Sequence, residues 1–323
     1  SLNESPDRPM VNRVLRGIYP PGSTLKPFMA LAGLELGLRN ASDEINDPGY
    51  YSLPNSRHRF RDWKAGGHGT VDLMRSVQQS CDTYYYRLAV DMGIDRMHDY
   101  LARYGFGEKS GIDLDGESAG LLPSREWKKR RWNKVWHPGE TVIVGIGQGY
   151  HLTTPLQLAT ATAMIANGGY RIEPRLVQAV RDPATRRWKP APVTTRERVA
   201  IDPEHLAVVR QAMQAVMLPG GTASLAAAGA PYSIAGKTGT AQVVGIKQGA
   251  KYNEAATAKR LRDHALFIAY APAEDPRLVV AVMVENGGHG GSTAAPMARA
   301  VFDYFLTGKT AAVQLEESDL GAD

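Results

Sequence analysis

Two side chains in "YPPGSTLKPF", Ser23 and Lys26, stand three residues apart and could do covalent chemistry together. Residues spaced i and i+3 share a helix face. A serine hydroxyl is a poor nucleophile until a neighbouring base takes its proton. A lysine serves as that base only if burial or a second cation lowers its pKa. The free amides and partial positive charge of a helix start would favour an oxyanion at the same place. Two further segments have suitable chemistry. "SCD" (Ser80, Cys81, Asp82) falls between helical segments, and "SIAGKTGTA" carries Lys237, Thr238, Gly239 and Thr240 within a strand-like run. Each of the three is unremarkable alone: a solvated surface pair, a helix cap, an edge strand.

The elements that must hold these residues are readable in outline. Proline is tolerated only in the first turn of a helix, so Pro27 places a helix start at about Gly22 or Ser23. The following run "FMALAGLELGL" is apolar on nearly every side and belongs inside the domain. Residues 40–69 read as a long excursion with strand-like pieces. Thr70 is expected to cap a helical stretch that runs on through "CDTYYYRLAVDMG", and another helix spans about Ile94 to Tyr104. Residues 105–150 read as irregular, with the basic run "REWKKRRWNK" as a solvated loop able to touch anionic lipid or glycan. Thr154 with Pro155 and Asp202 with Pro203 open two clear helices. Strands follow at Ser233–Val244, His264–Tyr270 and Leu278–Glu285, then a helix over about Thr293–Leu306. The segment "KQGAKYNEAATAKRLRD" between strands reads as a mobile loop near the cleft, and His289 has no assigned role. The fold class expected is α/β of the α+β type, an antiparallel sheet flanked by helices.

Composition sets limits. The 323 residues carry a formal charge of +5, mild enough to suit an acidic polymer or an anionic surface but without the patterns of a nucleic-acid binder. One cysteine, Cys81, excludes an internal disulfide. No apolar run is long enough to span a bilayer. One catalytic domain over residues 1–310 and a disordered acidic tail over 311–323 are expected.

S-x-x-K, S-x-D and K-T-G in this order form the motif set of penicillin-binding proteins and serine β-lactamases. With "GIGQGYHLTTPLQLATATAMIANGG" and "IAGKTGTAQ", the sequence resembles the transpeptidase domain of class B penicillin-binding proteins over nearly its whole length. "SCDTYYYRLAVDMGIDR" is most similar to the elongation-type subgroup, penicillin-binding protein 2. Asp82 stands where asparagine is common, which also resembles that subgroup. The resemblance implies a five-stranded antiparallel sheet with an all-helical subdomain. It implies a periplasmic domain whose inner-membrane anchor and pedestal lie upstream. It implies peptidoglycan stem peptides of lipid II-derived glycan strands as substrates and β-lactam antibiotics as inhibitors. The expected partners are a membrane glycosyltransferase and elongation-complex proteins, with no nucleic acid.

By motif, Ser23 would attack the D-Ala-D-Ala carbonyl and Lys26 would take its proton. Ser80 would relay a proton to the leaving D-alanine, helped by Lys237. The amides of Ser23 and Thr240 would form the oxyanion hole. Thr238 and Thr240, on the Gly239-containing strand, would hold the terminal carboxylate with Lys237. Asp82 would orient Lys26 and the substrate. The alternatives sharing this acylation chemistry are a serine β-lactamase, a β-lactam sensor and a DD-carboxypeptidase.

Acylation needs no cofactor. Cys81 reads either as a small buried hydrophobe or as a zinc ligand, with Asp47, Asp62 and His68 of the excursion able to complete four donors. Elongation-type relatives share such a site, so the resemblance implies one structural zinc.

Overall fold

The computed structural model describes residues 5, 8–194, 198–243 and 257–309. Residues 13–19 are tied down. Helix α1 (Arg13–Arg16) buries Leu15, and Arg13 and Tyr19 both reach Glu285, at 2.8 and 2.6 Å.

A 3-10 turn, Gly22–Leu25, then leads into α2 (Lys26–Glu35). The expected α-helical first turn is therefore a 3-10 turn, and the cause is local. Pro27 has no N–H to reach the Ser23 carbonyl, so the Lys26 amide takes that carbonyl in the tighter i→i+3 pattern. Every residue of α2 except Glu35 is buried. Each fully buried Leu, Phe or Met there contributes roughly 1.5–3 kcal/mol.

The excursion forms two small antiparallel ribbons. β1 (Ile45–Asp47) pairs with β4 (Gly69–Val71), and β2 (Tyr50–Tyr51) with β3 (Phe60–Arg61). Thr70 lies in β4, and Asp72 caps α3 (Leu73–Gln78) by accepting from the Arg75 amide. The chain breaks at Gln79–Cys81 before α4 (Asp82–Met92), then continues into α5 (Ile94–Ala102). Residues 105–150 are more regular than expected, holding α6 (Arg125–Trp132) and α7 (Pro138–Val144). The basic run is thus a helix, capped by Ser124 and ended by left-handed Asn133.

Helix α8 (Pro155–Asn167) has the expected Thr154 cap, with Gln157 closing a capping box. A ribbon of β5 (Ala179–Arg181) and β6 (Trp188–Pro190) follows, then α9 (Pro203–Ala215) and α10 (Ser224–Ala227). The main sheet is antiparallel in the order β7 (Ala235–Ala241), β8 (His264–Ala271), β9 (Leu278–Val284). It has three strands among the described residues, where five were expected. Among the described residues, the six other strands pair locally in two-stranded ribbons. A π-helical turn, Gly290–Ala294, opens α11 (Ala295–Thr307). Helices α8 and α11 pack on β8 and β9, and α9 and the Gly22–Leu25 turn pack on β7. The segment "KQGAKYNEAATAKRLRD" lies outside the described residues up to residue 256, and the acidic tail lies wholly outside them. Among the described residues, no helix is long and apolar enough to cross a membrane.

Candidate active site

The Ser23 turn meets β7 through residues without side-chain bulk. A Cβ on Gly22, whose φ is +54°, would stand 2.4 Å from the Thr240 carbonyl oxygen. One on Gly239 would stand 2.7 Å from Thr24 Cγ2. Ser23, half-buried, therefore sits between two residues that touch the K-T-G strand. Any larger residue at either glycine would push strand and turn apart.

Lys26 is fully buried at the head of α2. Its Nζ donates to the Ser80 carbonyl at 2.7 Å, to Ser80 Oγ at 3.2 Å and to Asp82 Oδ1 at 2.7 Å. These three contacts fix the Lys26 nitrogen beside Ser80 and Asp82. Ser80 has a left-handed backbone, φ +58°, uncommon for a residue with a side chain. This bend turns its carbonyl toward Lys26 and toward the Trp63 indole N–H at 3.1 Å. Strain of this kind costs of order 1–3 kcal/mol and persists where surrounding contacts enforce it.

Lys237 is also fully buried, and among the described residues its only hydrogen bond is to the carbonyl of Thr238, at 3.1 Å. Burial first, and then the charge of Lys26, hold its pKa well below the ordinary lysine value, although Asp82 pulls the other way. Thr238 Oγ1 lies 2.7 Å from Thr222 Oγ1. Gln148 Nε2 donates to the Thr240 carbonyl at 2.8 Å. Gly147 accepts from the Gly22 amide at 2.8 Å. Ser23, Lys26, Ser80, Asp82, Lys237, Thr238, Gly239 and Thr240 thus come from three distant stretches to one region.

Sequence reasoning missed Gln148, Thr222 and Trp63. "GIGQG" carried a signal for the first, a lone polar residue among glycines that permit close backbone approach. Thr222 lies in an ordinary turn, and Trp63 in the excursion has no distinguishing neighbour.

Directly behind the Ser80–Asp82 corner, Asp47, Asp62, His68 and Cys81 are all buried, with one donor atom of each within 4.8 Å of the others. His68 Nδ1 lies 2.8 Å from Asp47 Oδ2 and 3.5 Å from Asp62 Oδ1. His68 Nε2 is buried without a hydrogen-bond partner. Asp62 Oδ2 accepts from the amides of Asp82 and Thr83, at 2.7 and 3.0 Å, and so caps α4. Burial first, then the charge of Asp82, raises the Asp62 pKa; burial and then Asp62 raise that of Cys81. Two carboxylates, a thiol and an imidazole held together out of water form a donor set that suits a tetrahedral divalent cation.

The class of the chain follows: it belongs to the penicillin-binding protein transpeptidase family, whose domain matches residues 1–303. Several of the similar proteins are named MrdA or PBP2. The peptidoglycan D,D-transpeptidase MrdA of Acinetobacter baumannii is 46% identical over 306 residues, covering 95% of this chain and 45% of that protein. The crystal structure of Pseudomonas aeruginosa PBP2 in complex with WCK 5153 is 45% identical with a TM-score of 0.83, over 98% of this chain and 68% of that one. PBP2 of Helicobacter pylori in complex with MreC is 30% identical with a TM-score of 0.80, over 95% of this chain and 54% of that one. The chain spans about half the length of the curated relatives it matches.

Proposed function

We propose that this chain is the catalytic domain of an elongation-type peptidoglycan D,D-transpeptidase. The observation that carries the reading is the Lys26 amine, hydrogen-bonded to both Ser80 Oγ and Asp82 in a buried corner beside the Ser23 turn. As a neutral amine, Lys26 takes the Ser23 proton while Oγ bonds to the carbonyl carbon of the penultimate D-alanine. The amides of Ser23 and Thr240 hold the oxyanion. The C–N bond breaks, and Ser80, helped by Lys237, passes a proton to the departing D-alanine amine. An amine of a neighbouring stem peptide then attacks the Ser23 ester, releases the hydroxyl and forms the crosslink. Thr238 and Thr240, with Lys237, hold the terminal carboxylate. Asp82 orients Lys26 and accepts from the Trp63 amide at 3.1 Å; unlike an asparagine amide, a carboxylate cannot donate.

The domain spans residues 1–310 of a periplasmic portion anchored upstream in the inner membrane. The names of its relatives support partners of the elongation complex, a membrane glycosyltransferase among them. Asp47, Asp62, His68 and Cys81 would hold one structural zinc, and acylation itself requires no metal. When bound, zinc would supply the positive charge that two buried carboxylates and a thiol lack.

A penicillin mimics the first step and stays on Ser23. Intact-mass measurement after adding a penicillin should show one adduct per chain that persists for hours. Ser23→Ala should lower acylation by at least about 10⁴-fold. An unmodified wild-type chain would refute the reading, and an adduct lost within seconds would point to a lactamase instead. Incubation with stem peptides should give crosslinked rather than merely trimmed products.

A further inference from the structure

Helix α6 and the residues after it form a cationic aromatic face. "REWKKRRWNK" places six cationic side chains against one carboxylate. Lys128 is spent internally: it is 3% exposed, ion-paired with Glu140, and lies 5.8 Å from the Trp136 ring centre and 5.9 Å from that of Tyr150. Around it the rings pack together, Trp127 and Trp132 edge to face and Tyr150 tilted against both. Trp127 and Trp132 are 4.9 Å apart, and Tyr150 lies 5.3 and 5.1 Å from them. The whole run 129–135 faces solvent, including Lys129, Arg130, Arg131 and Lys134, with Trp132 42% and Val135 65% exposed. Of these cations only Arg130 has a carboxylate partner among the described residues, Glu126 at 3.4 Å.

This face joins the active region by a short covalent path. Tyr150, at the centre of the rings, is two residues from Gln148, whose side chain holds the Thr240 carbonyl. A packed ring platform rimmed by positive charge, two residues along the chain from Gln148, suits a polymer of sugars bearing carboxylates. Exposed tryptophan offers a flat apolar surface, and the cations offer partners for anions.

We propose that the α6 face docks a peptidoglycan strand through the free carboxylates of its stem peptides and the faces of its sugars, holding it beside the cleft. This rests on the transpeptidase reading for the identity of the strand. An anionic membrane is the less suited occupant, since Val135 and part of Trp132 are the only apolar groups the run presents to solvent.

Sedimentation with purified, uncrosslinked peptidoglycan tests the proposal. The wild-type chain should pellet with it, and less so as salt rises from 0.05 to 0.3 M, because exposed charges are screened. The triple variant Lys129→Glu, Arg131→Glu, Lys134→Glu should bind on the order of tenfold more weakly. Trp132→Ala should weaken binding severalfold with the salt dependence kept. Melting temperatures confirm that each variant folds, and should the triple variant fail to fold, Trp132→Ala alone carries the test. Variants that pellet like the wild type would overturn the proposal. So would a wild type that binds anionic phosphatidylglycerol vesicles and ignores peptidoglycan, which would assign the face to a membrane. Covalent penicillin labelling of the wild-type chain reads the transpeptidase proposal separately, and its loss would leave strand binding intact.

Discussion

Asp82 and Asp62 lie on opposite sides of the same corner and meet opposite neighbours. On the cleft side, the Asp82 carboxylate faces the Lys26 ammonium at 2.7 Å. On the far side, Asp62 faces Asp47, Cys81 and His68, with no lysine or arginine among the four donors. A buried charge is costly unless an opposite charge or several hydrogen bonds meet it. The corner at Asp82 carries its own cation, Lys26, whereas in the far cluster the proposed zinc would supply one. The two are linked, because Asp62 also caps the helix that begins with Asp82. A residue of the excursion, outside the three motifs, thereby fixes the start of the helix that carries Asp82.

The contrast can be broken most forcefully on the far side. A strong chelator, or His68→Ala, should lower the melting temperature by on the order of 10 °C, with metal analysis falling from one zinc per chain to none. A chain purified without chelator that contains no zinc and melts unchanged would end the contrast. On the cleft side, Lys26→Met should abolish penicillin acylation and cost about 3 kcal/mol in denaturant unfolding, since it leaves Asp82 unpaired. A variant of undiminished stability would show that Asp82 is met by other groups.

Lys237 sharpens the comparison as a lysine without a carboxylate partner. Its folded pKa is depressed, so the unfolded chain binds the extra proton, and stability falls as pH drops below the ordinary value of 10.5. Lys237→Met should therefore unfold about 1–2 kcal/mol later than wild type at pH 7. The gain should shrink as pH approaches 10.5, and an equal gain at all pH values would rule out this account. The smallest effect is expected from Gln148→Ala, which removes the tie to the Thr240 carbonyl. It should cost about 1 kcal/mol and slow acylation by up to about fivefold; a full loss of acylation would instead make Gln148 part of the chemistry.

Much of this was legible because its signals are local. Pro27, Pro155 and Pro203 each mark a helix start through a missing N–H, and the K-T-G strand carries Gly239 where the Ser23 turn approaches it. The Asp47–Asp62–His68–Cys81 grouping was legible as a list of suitable donors, while their convergence depends on two ribbons that pair only in three dimensions. The α6 helix was misread because its mean polarity hides Lys128, the one charge that turns inward. Sheet width was misjudged for a similar reason. Whether a short strand joins the sheet or closes on its own ribbon depends on partners distant in sequence.

One absent hydrogen has an angular consequence. Three residues advance a 3-10 helix by a full turn, but an α-helix by only about 300°. By lacking the N–H that would draw the Ser23 carbonyl into an α-helical bond, Pro27 keeps residues 23 and 26 about 60° closer to eclipsed than α-helical geometry would leave them. The imino acid that follows the lysine is therefore what brings the serine into line above it.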